Sequence, residues 1–285
     1  MTMENRKGLS VLKGIFILLV LIFLYAPVLI LVFYSFTDAD QIGIIGGFSL
    51  DNYITLFTTE ELTDMIIGTI ALAVGAAAIS AVLGTLGAIG SFYSGRKRSA
   101  VYSTLNQIPV VNADVVTGFS ICILLVVALQ ISKDTFIPLV VGHVTLCAPF
   151  VYLSVLPKLK QMDPSIYEAA LDLGASPAVA LRRIVLPQIS SGILSGFMLA
   201  LTLSLDDYFI TTYTKPATFD TISTYVVNAT KGSQTTIKTA LWALSAVIFA
   251  VVVLVVVLSN VYAARSERAR NGGSASGMAG RRAGA

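Results

Sequence analysis

The sequence predicts an all-α membrane protein with six transmembrane helices, and three observations predict it. Of the 285 residues, 55% are hydrophobic and only 12% are charged, with a mean hydropathy of +0.82, well outside the soluble globular range. Six windows are long and apolar enough to cross about 30 Å of hydrocarbon, which takes roughly 20 residues of helix. Lysine and arginine collect in alternate connections between those windows, the pattern of the positive-inside bias.

The windows cover 14–36, 66–92, 106–131, 136–156, 189–213 and 239–263. The first reads as a span rather than a cleavable signal peptide, because it is long and no small-residue cleavage site closes it. Arg6, Lys7 and Lys13 precede it, and Arg96, Lys97 and Arg98 lie between the second and third windows. Lys158, Lys160, Arg182 and Arg183 occupy the insert at 157–188, and Arg265, Arg268, Arg270, Arg281 and Arg282 follow the sixth. Only Lys133, Lys215, Lys231 and Lys238 fall on the opposite side. The 1–13 segment, the insert and the 264–285 tail are therefore expected in the cytoplasm, around a transmembrane domain at 14–263.

Asp38, Asp40, Asp51, Glu60, Glu61 and Asp64 fall in the first outer loop, which holds no lysine or arginine. The net charge of +3 follows from the positive-inside bias and calls for no nucleic-acid partner. From Asn271 onward the tail is rich in Gly, Ser, Ala and Arg without periodicity, a composition expected to stay disordered.

The insert carries helix punctuation of its own. Asp163 suits an N-cap, Pro164 the first helical position and Gly174 a left-handed stop, which predicts a helix from Pro164 to Leu173. Ser176 and Pro177 open a second helix expected to end near Pro187. Ile166, Ala169, Ala170 and Leu173 form one apolar stripe, with Glu168 and Asp172 four apart on another face. Two such helices can present a face to a soluble partner; on the residues alone, a loop covering the span ends is equally consistent.

Three aspartates fall inside predicted spans, Asp114 in the third and Asp206 with Asp207 in the fifth. An aspartate at a span centre costs about 2.5 to 3.5 kcal/mol, which makes each a functional candidate. On a regular helix, neighbours point about 100° apart. Asp207 therefore shares a face with Gly196, Ala200, Ser204 and Thr211, and Asp206 with Ser195, Thr202, Phe209 and Tyr213. Carboxylates beside aromatic rings suit a cation in a water-filled path. Capping of broken helices is the alternative role. Cys122, Cys147 and the lone histidine, His143, read as packing residues, with no metal site and no cofactor expected. The chain has no phosphate loop and no catalytic triad, so it is not expected to be an enzyme or to hydrolyse ATP by itself.

The pattern Glu168-Ala169-Ala170, Gly174, Ile184, Leu186 and Pro187 resembles the signature of permease subunits of ATP-binding-cassette (ABC) importers. The resemblance implies a type I importer permease (MetI-like) fold. It also implies coupling helices that dock on a cytoplasmic ATPase through Glu168, Ala169, Ala170, Gly174, Arg182, Arg183, Ile184, Leu186 and Pro187. The implied partners are a second permease subunit in a heterodimer, two ATP-binding subunits and an extracytoplasmic substrate-binding protein. Within the family, residues 142–150, 172–176 and 203–207 and the 109–115 region are similar to the second membrane subunit of spermidine/putrescine importers. That likeness implies a polyamine pathway past Asp114, Ser204, Asp206 and Asp207 in the inner membrane. Import of another solute, ion-coupled secondary transport and a scaffold role remain as alternatives.

Overall fold

The computed structural model describes residues 3–39, 44, 46–231, 240–254, 256–257 and 261. The helices are α1 (Met3–Ser35), α2 (Asp51–Thr58), α3 (Glu60–Phe92), α4 (Arg96–Val111) and α5 (Asp114–Cys122), the last prolonged by a wide π-turn at Ile123–Ala128. There follow α6 (Ile137–Gln161), α7 (Pro164–Asp172), α8 (Pro177–Ala180) with a second π-turn at Leu181–Val185, α9 (Leu186–Asp206), α10 (Phe209–Thr214) and α11 (Ile222–Lys231). The apolar helix Ala240–Leu254 is α12. Among the described residues the only strand-like feature is one antiparallel bridge, Thr37 with Phe48.

Among the described residues, four helices meet the length and hydropathy of a span, at Lys13–Ser35, Glu60–Phe92, Ile137–Gln161 and Pro177–Asp206. The sixth window is described over Ala240–Leu254, and the tail expected to be disordered lies outside the described residues. The third window departs from the straight helix expected of it. It is a broken pair, Arg96–Val111 and Asp114–Ala128, bent by 102°. Pro109 removes a backbone donor near the end of α4, Asn112 and Ala113 take extended backbone, and Asp114 restarts the helix. Asn112 Nδ2 donates to Thr117 Oγ1 at 3.1 Å, bracing the corner.

The chain forms two compact units, Met1–Thr63 with Val226–Val251, and Asp64–Tyr225 with Val252–Ala285. In the first, the span in α1 exposes apolar side chains all along its length. Asn52 Nδ2 donates to the carbonyls of Ser35 and Thr37, which ties α2 to the end of α1. Tyr34 meets Trp242 of α12 edge-on at 5.6 Å.

The second unit is organised by α6 and α9, packed antiparallel. Gly192, Gly196, Ala200 and Ser204 are four apart and so lie on one face of α9, opposite Lys158, Val151, Cys147 and His143 of α6 in turn. Small residues in this register let two backbones approach closely. A Cβ on Gly196 would stand 3.0 Å from Val151 Cα. Cys147, Val151, Val155, Leu159, Val185, Ile189, Ala200 and Ile210 are all fully buried in the resulting core. Cys147 donates to the Ala200 carbonyl at 3.3 Å and belongs to this packing face.

Candidate functional site

The insert is built as two short helices, with one departure from expectation. Asp163 accepts from the backbone N–H of Ser165 at 3.0 Å and caps α7. Hydrogen bonding to Ser165, through its hydroxyl and then its N–H, holds the Asp163 carboxyl below the usual carboxylate range. At the other end Gly174 takes φ +84°. Its N–H donates to Leu171 O at 2.9 Å while that of Ala175 donates to Ala170 O at 3.0 Å, the paired bonds of a Schellman motif. Pro187 does not end the second helix as expected. The chain continues from α8 through the π-turn into α9, with Pro187 in the first turn of α9. The wide turn relieves the clash that a proline ring makes with the carbonyl four residues back, here that of Arg183.

The apolar stripe expected on α7 is divided between two directions. Ala170 is buried, and Tyr167 packs against the core. The Tyr167 ring meets that of Tyr93 at 4.8 Å, and this contact sets the rotation of α7. Burial and the neighbouring Tyr167 push the Tyr93 phenol above its usual range. Ile166, Ala169 and Leu173 consequently face outward with Glu168, and Leu173 is 89% exposed. Arg182 and Arg183, with Ala178 and Val179, border a shallow cavity of about 470 Å³ on α8 and its π-turn. Ile184 and Leu186 are half-buried, and Pro187 is exposed.

Asp114, Asp206 and Asp207 come together around one cavity of about 290 Å³, whose lining also includes Thr202, Tyr208 and Phe209. The 102° bend brings Asp114 there at the first position of α5. The fifth span stops at Asp206, Asp207 takes extended backbone, and α10 begins at Phe209. Asp206 and Asp114 are exposed, while Asp207 is only 7% exposed.

The two adjacent carboxylates thus have different surroundings. Asp207 Oδ1 accepts from Ile210 N–H at 3.2 Å, and Oδ2 accepts from Thr211 N–H at 2.7 Å and Thr211 Oγ1 at 2.8 Å. These donors are the free amides of the first turn of α10, where a carboxylate is also favoured by the helix dipole. Among the described residues no lysine or arginine pairs with Asp114 or Asp206.

Ser204 is buried and does not line the cavity. Its Oγ lies 2.8 Å from His143 Nδ1, and His143 Nε2 lies 3.0 Å from Thr211 Oγ1 and 3.8 Å from Asp207 Oδ2. Sequence reading placed Thr211 on the Asp207 face but treated His143 as packing alone. The available signal was its position one turn before Cys147, on the α6 face that meets α9.

Residues 80–271 match the family described as binding-protein-dependent transport system inner membrane component. The chain is 36% identical over 204 residues to the putrescine transport system permease protein PotI of Escherichia coli (strain K12), spanning 70% of this chain and 73% of that one. It is 32% identical over 227 residues to the spermidine/putrescine transport system permease protein PotC of Haemophilus influenzae, spanning 79% and 86%. Among solved structures, a chain of a bacterial alginate ABC transporter in complex with an alginate pentasaccharide-bound periplasmic protein superposes with a TM-score of 0.70. Identity there is 20%, over 92% of this chain and 96% of that one, a likeness of fold. With a multi-pass helical fold and a family match over most of its length, this chain belongs to the inner-membrane permease subunits of binding-protein-dependent ABC importers.

Proposed function

We propose that this permease forms one half of a heterodimeric pore that imports polyamines, driven by two copies of a cytoplasmic ATPase and supplied by an extracytoplasmic binding protein. The observation that carries the proposal is the convergence of Asp114, Asp206 and Asp207 on one cavity, in a chain similar to PotI and PotC. Carboxylates pair with ammonium groups, and the Tyr208 and Phe209 rings beside them offer faces that attract cations. An anion would meet repulsion at the same place. Asp114 and Asp206, both exposed, would touch the cargo directly, with Ser204 and Asp207 acting from behind them.

In this mechanism both termini and the insert face the cytoplasm. The outward face of α7, with Glu168, Ala169 and Leu173, docks on the ATPase together with Arg182 and Arg183. Closure of the ATPase dimer pushes on Glu168 to Pro187. The continuous run from α8 through the π-turn into α9, locked to α6 by small residues, carries that displacement to the acidic cavity. The site should hold a cation weakly, since a pathway must release what it admits.

The test is uptake into proteoliposomes holding this chain, its partner permease and the ATPase, with the binding protein supplied outside. ATP-dependent accumulation of spermidine or putrescine is expected. Accumulation driven by a proton gradient without ATP, or ATP-dependent accumulation of an anion alone, contradicts the proposal.

A further inference from the structure

The fifth span is broken at the acidic cavity, and a single side chain from another helix bonds both sides of the break. His143 of α6 is fully buried and meets Ser204 on α9, before the break, and Thr211 on α10, after it. Ser204 and Thr211 are themselves buried.

The protons of this group can be assigned from the acceptors. Both oxygens of the Asp207 side chain accept N–H bonds, from Ile210 and Thr211. The Thr211 hydroxyl donates to Asp207 Oδ2 at 2.8 Å, closer than the Asp207 carbonyl at 3.2 Å, and its oxygen accepts from His143 Nε2–H at 3.0 Å. That leaves His143 Nδ1 as an acceptor for the Ser204 hydroxyl at 2.8 Å. The bonds run in one direction, Ser204 to His143 to Thr211 to Asp207, and a neutral imidazole satisfies every link.

We propose that His143 is a positioning residue for cation passage. It fixes α9 and α10 across the break, keeps Asp207 bonded to the first amides of α10, and leaves Asp206 as the exposed carboxylate of the adjacent pair at the cavity. Asp207 faces donors on its own chain, and Asp206 faces open space. Asp206 and Asp207 thus divide the labour, one meeting the cargo and the other holding the backbone. This deepens the polyamine proposal and relies on it for the identity of the cargo.

The test uses the full complex in proteoliposomes. Asp206→Asn should raise the KM for spermidine about tenfold, the loss of one charge-assisted contact, with the melting temperature of the complex unchanged, whereas Asp207→Asn, which turns an amide N–H toward the donors of α10, should lower the melting temperature. His143→Gln supplies one acceptor and one donor in the required sense and should resemble the parent. His143→Leu should raise KM as Asp206→Asn does, in a complex that still assembles. If that variant does not assemble, Ser204→Ala and Thr211→Val each remove one link and should raise KM in its place. An Asp207→Asn complex that melts with the parent overturns the proposal, as does an unchanged KM when the relay is cut. A readout independent of cargo separates this inference from the polyamine proposal. A cysteine introduced by Asp206→Cys should react with a cationic thiol reagent, and that reaction should fall when His143→Leu or Ser204→Ala is added. If labelling behaves so while no polyamine is carried, the identity of the cargo is wrong and the positioning role stands. Unaltered labelling contradicts the role of His143 whatever the cargo.

Discussion

The backbone N–H of Ala175 donates to the carbonyl of Ala170 at 3.0 Å, and this bond closes the end of α7 across Gly174. Ala170 supplies one of the two carbonyls that the motif closes, Leu171 the other, and Gly174, four residues after Ala170, supplies the φ of +84° that turns the chain back. A side chain at that φ costs about 1–2 kcal/mol. Gly174→Ala is expected to loosen the end of α7, seen as faster amide exchange over 164–173, and to lower the amount of substrate moved per ATP hydrolysed. Unaltered exchange and coupling would contradict this.

Leu173 is 89% exposed, on the same outward face of α7 as Ile166 and Ala169. With Ile166 and Ala169 it makes up the apolar side of the face proposed to dock on the ATPase. Leu173→Asp should weaken co-purification of the ATPase about tenfold or more, the effect of a disrupted interface anchor, while membrane insertion and pairing with the partner permease persist. Full retention of the ATPase would show that the docking face lies elsewhere.

The Asp163 cap should make α7 sensitive to acid. Its carboxyl is held below the ordinary range by Ser165, so its contribution is complete above the unfolded value of about 3.9 and is lost as the pH falls through the lower, folded value. Amide exchange at 164–168 should accelerate in that acid window in the parent. Asp163→Asn, which caps without titrating, should remove the pH-dependent part. An identical acid response in both proteins would assign it to other carboxylates.

Gly196 and Gly75 should respond in opposite ways to an added methyl group. A Cβ on Gly196 meets Val151 Cα and Cγ1 at 3.0 and 3.1 Å, whereas one on Gly75 meets nothing within 4 Å. Gly196→Ala is expected to cost about 1–3 kcal/mol through overpacking between α6 and α9, and Gly75→Ala to be neutral or stabilising by up to about 1 kcal/mol. Thermal unfolding of the detergent-solubilised protein compares them. Equal melting temperatures would mean that the α6–α9 contact is looser than the register of small residues implies.

Much of this architecture is legible in the residues, because long apolar runs have no stable place except the bilayer and because Asp163, Pro164 and Gly174 act through local backbone chemistry. The bend in the third window was hidden by the same apolarity. Residues 106–131 read as one span, and the corner rests on Asn112 and Ala113 adopting extended backbone, with Asn112 bracing Thr117. Pro187 misled for a related reason, since a proline normally stops a helix, yet the π-turn before it lets α9 continue from the insert. The three aspartates were found by their cost in the membrane, but that cost is the same for Asp206 and Asp207. Only the break after Asp206, which turns Asp207 onto the amides of α10, distinguishes them.

The central claim, that a cation is moved past Asp114 and Asp206 by ATP-driven work on the insert, is tested most directly by initial rates of spermidine uptake in the reconstituted complex at concentrations below KM. The account predicts that Asp114→Asn combined with Asp206→Asn lowers the rate about tenfold or more, while the ATPase remains bound and the complex intact. Uptake at the parental rate by that double variant would contradict it.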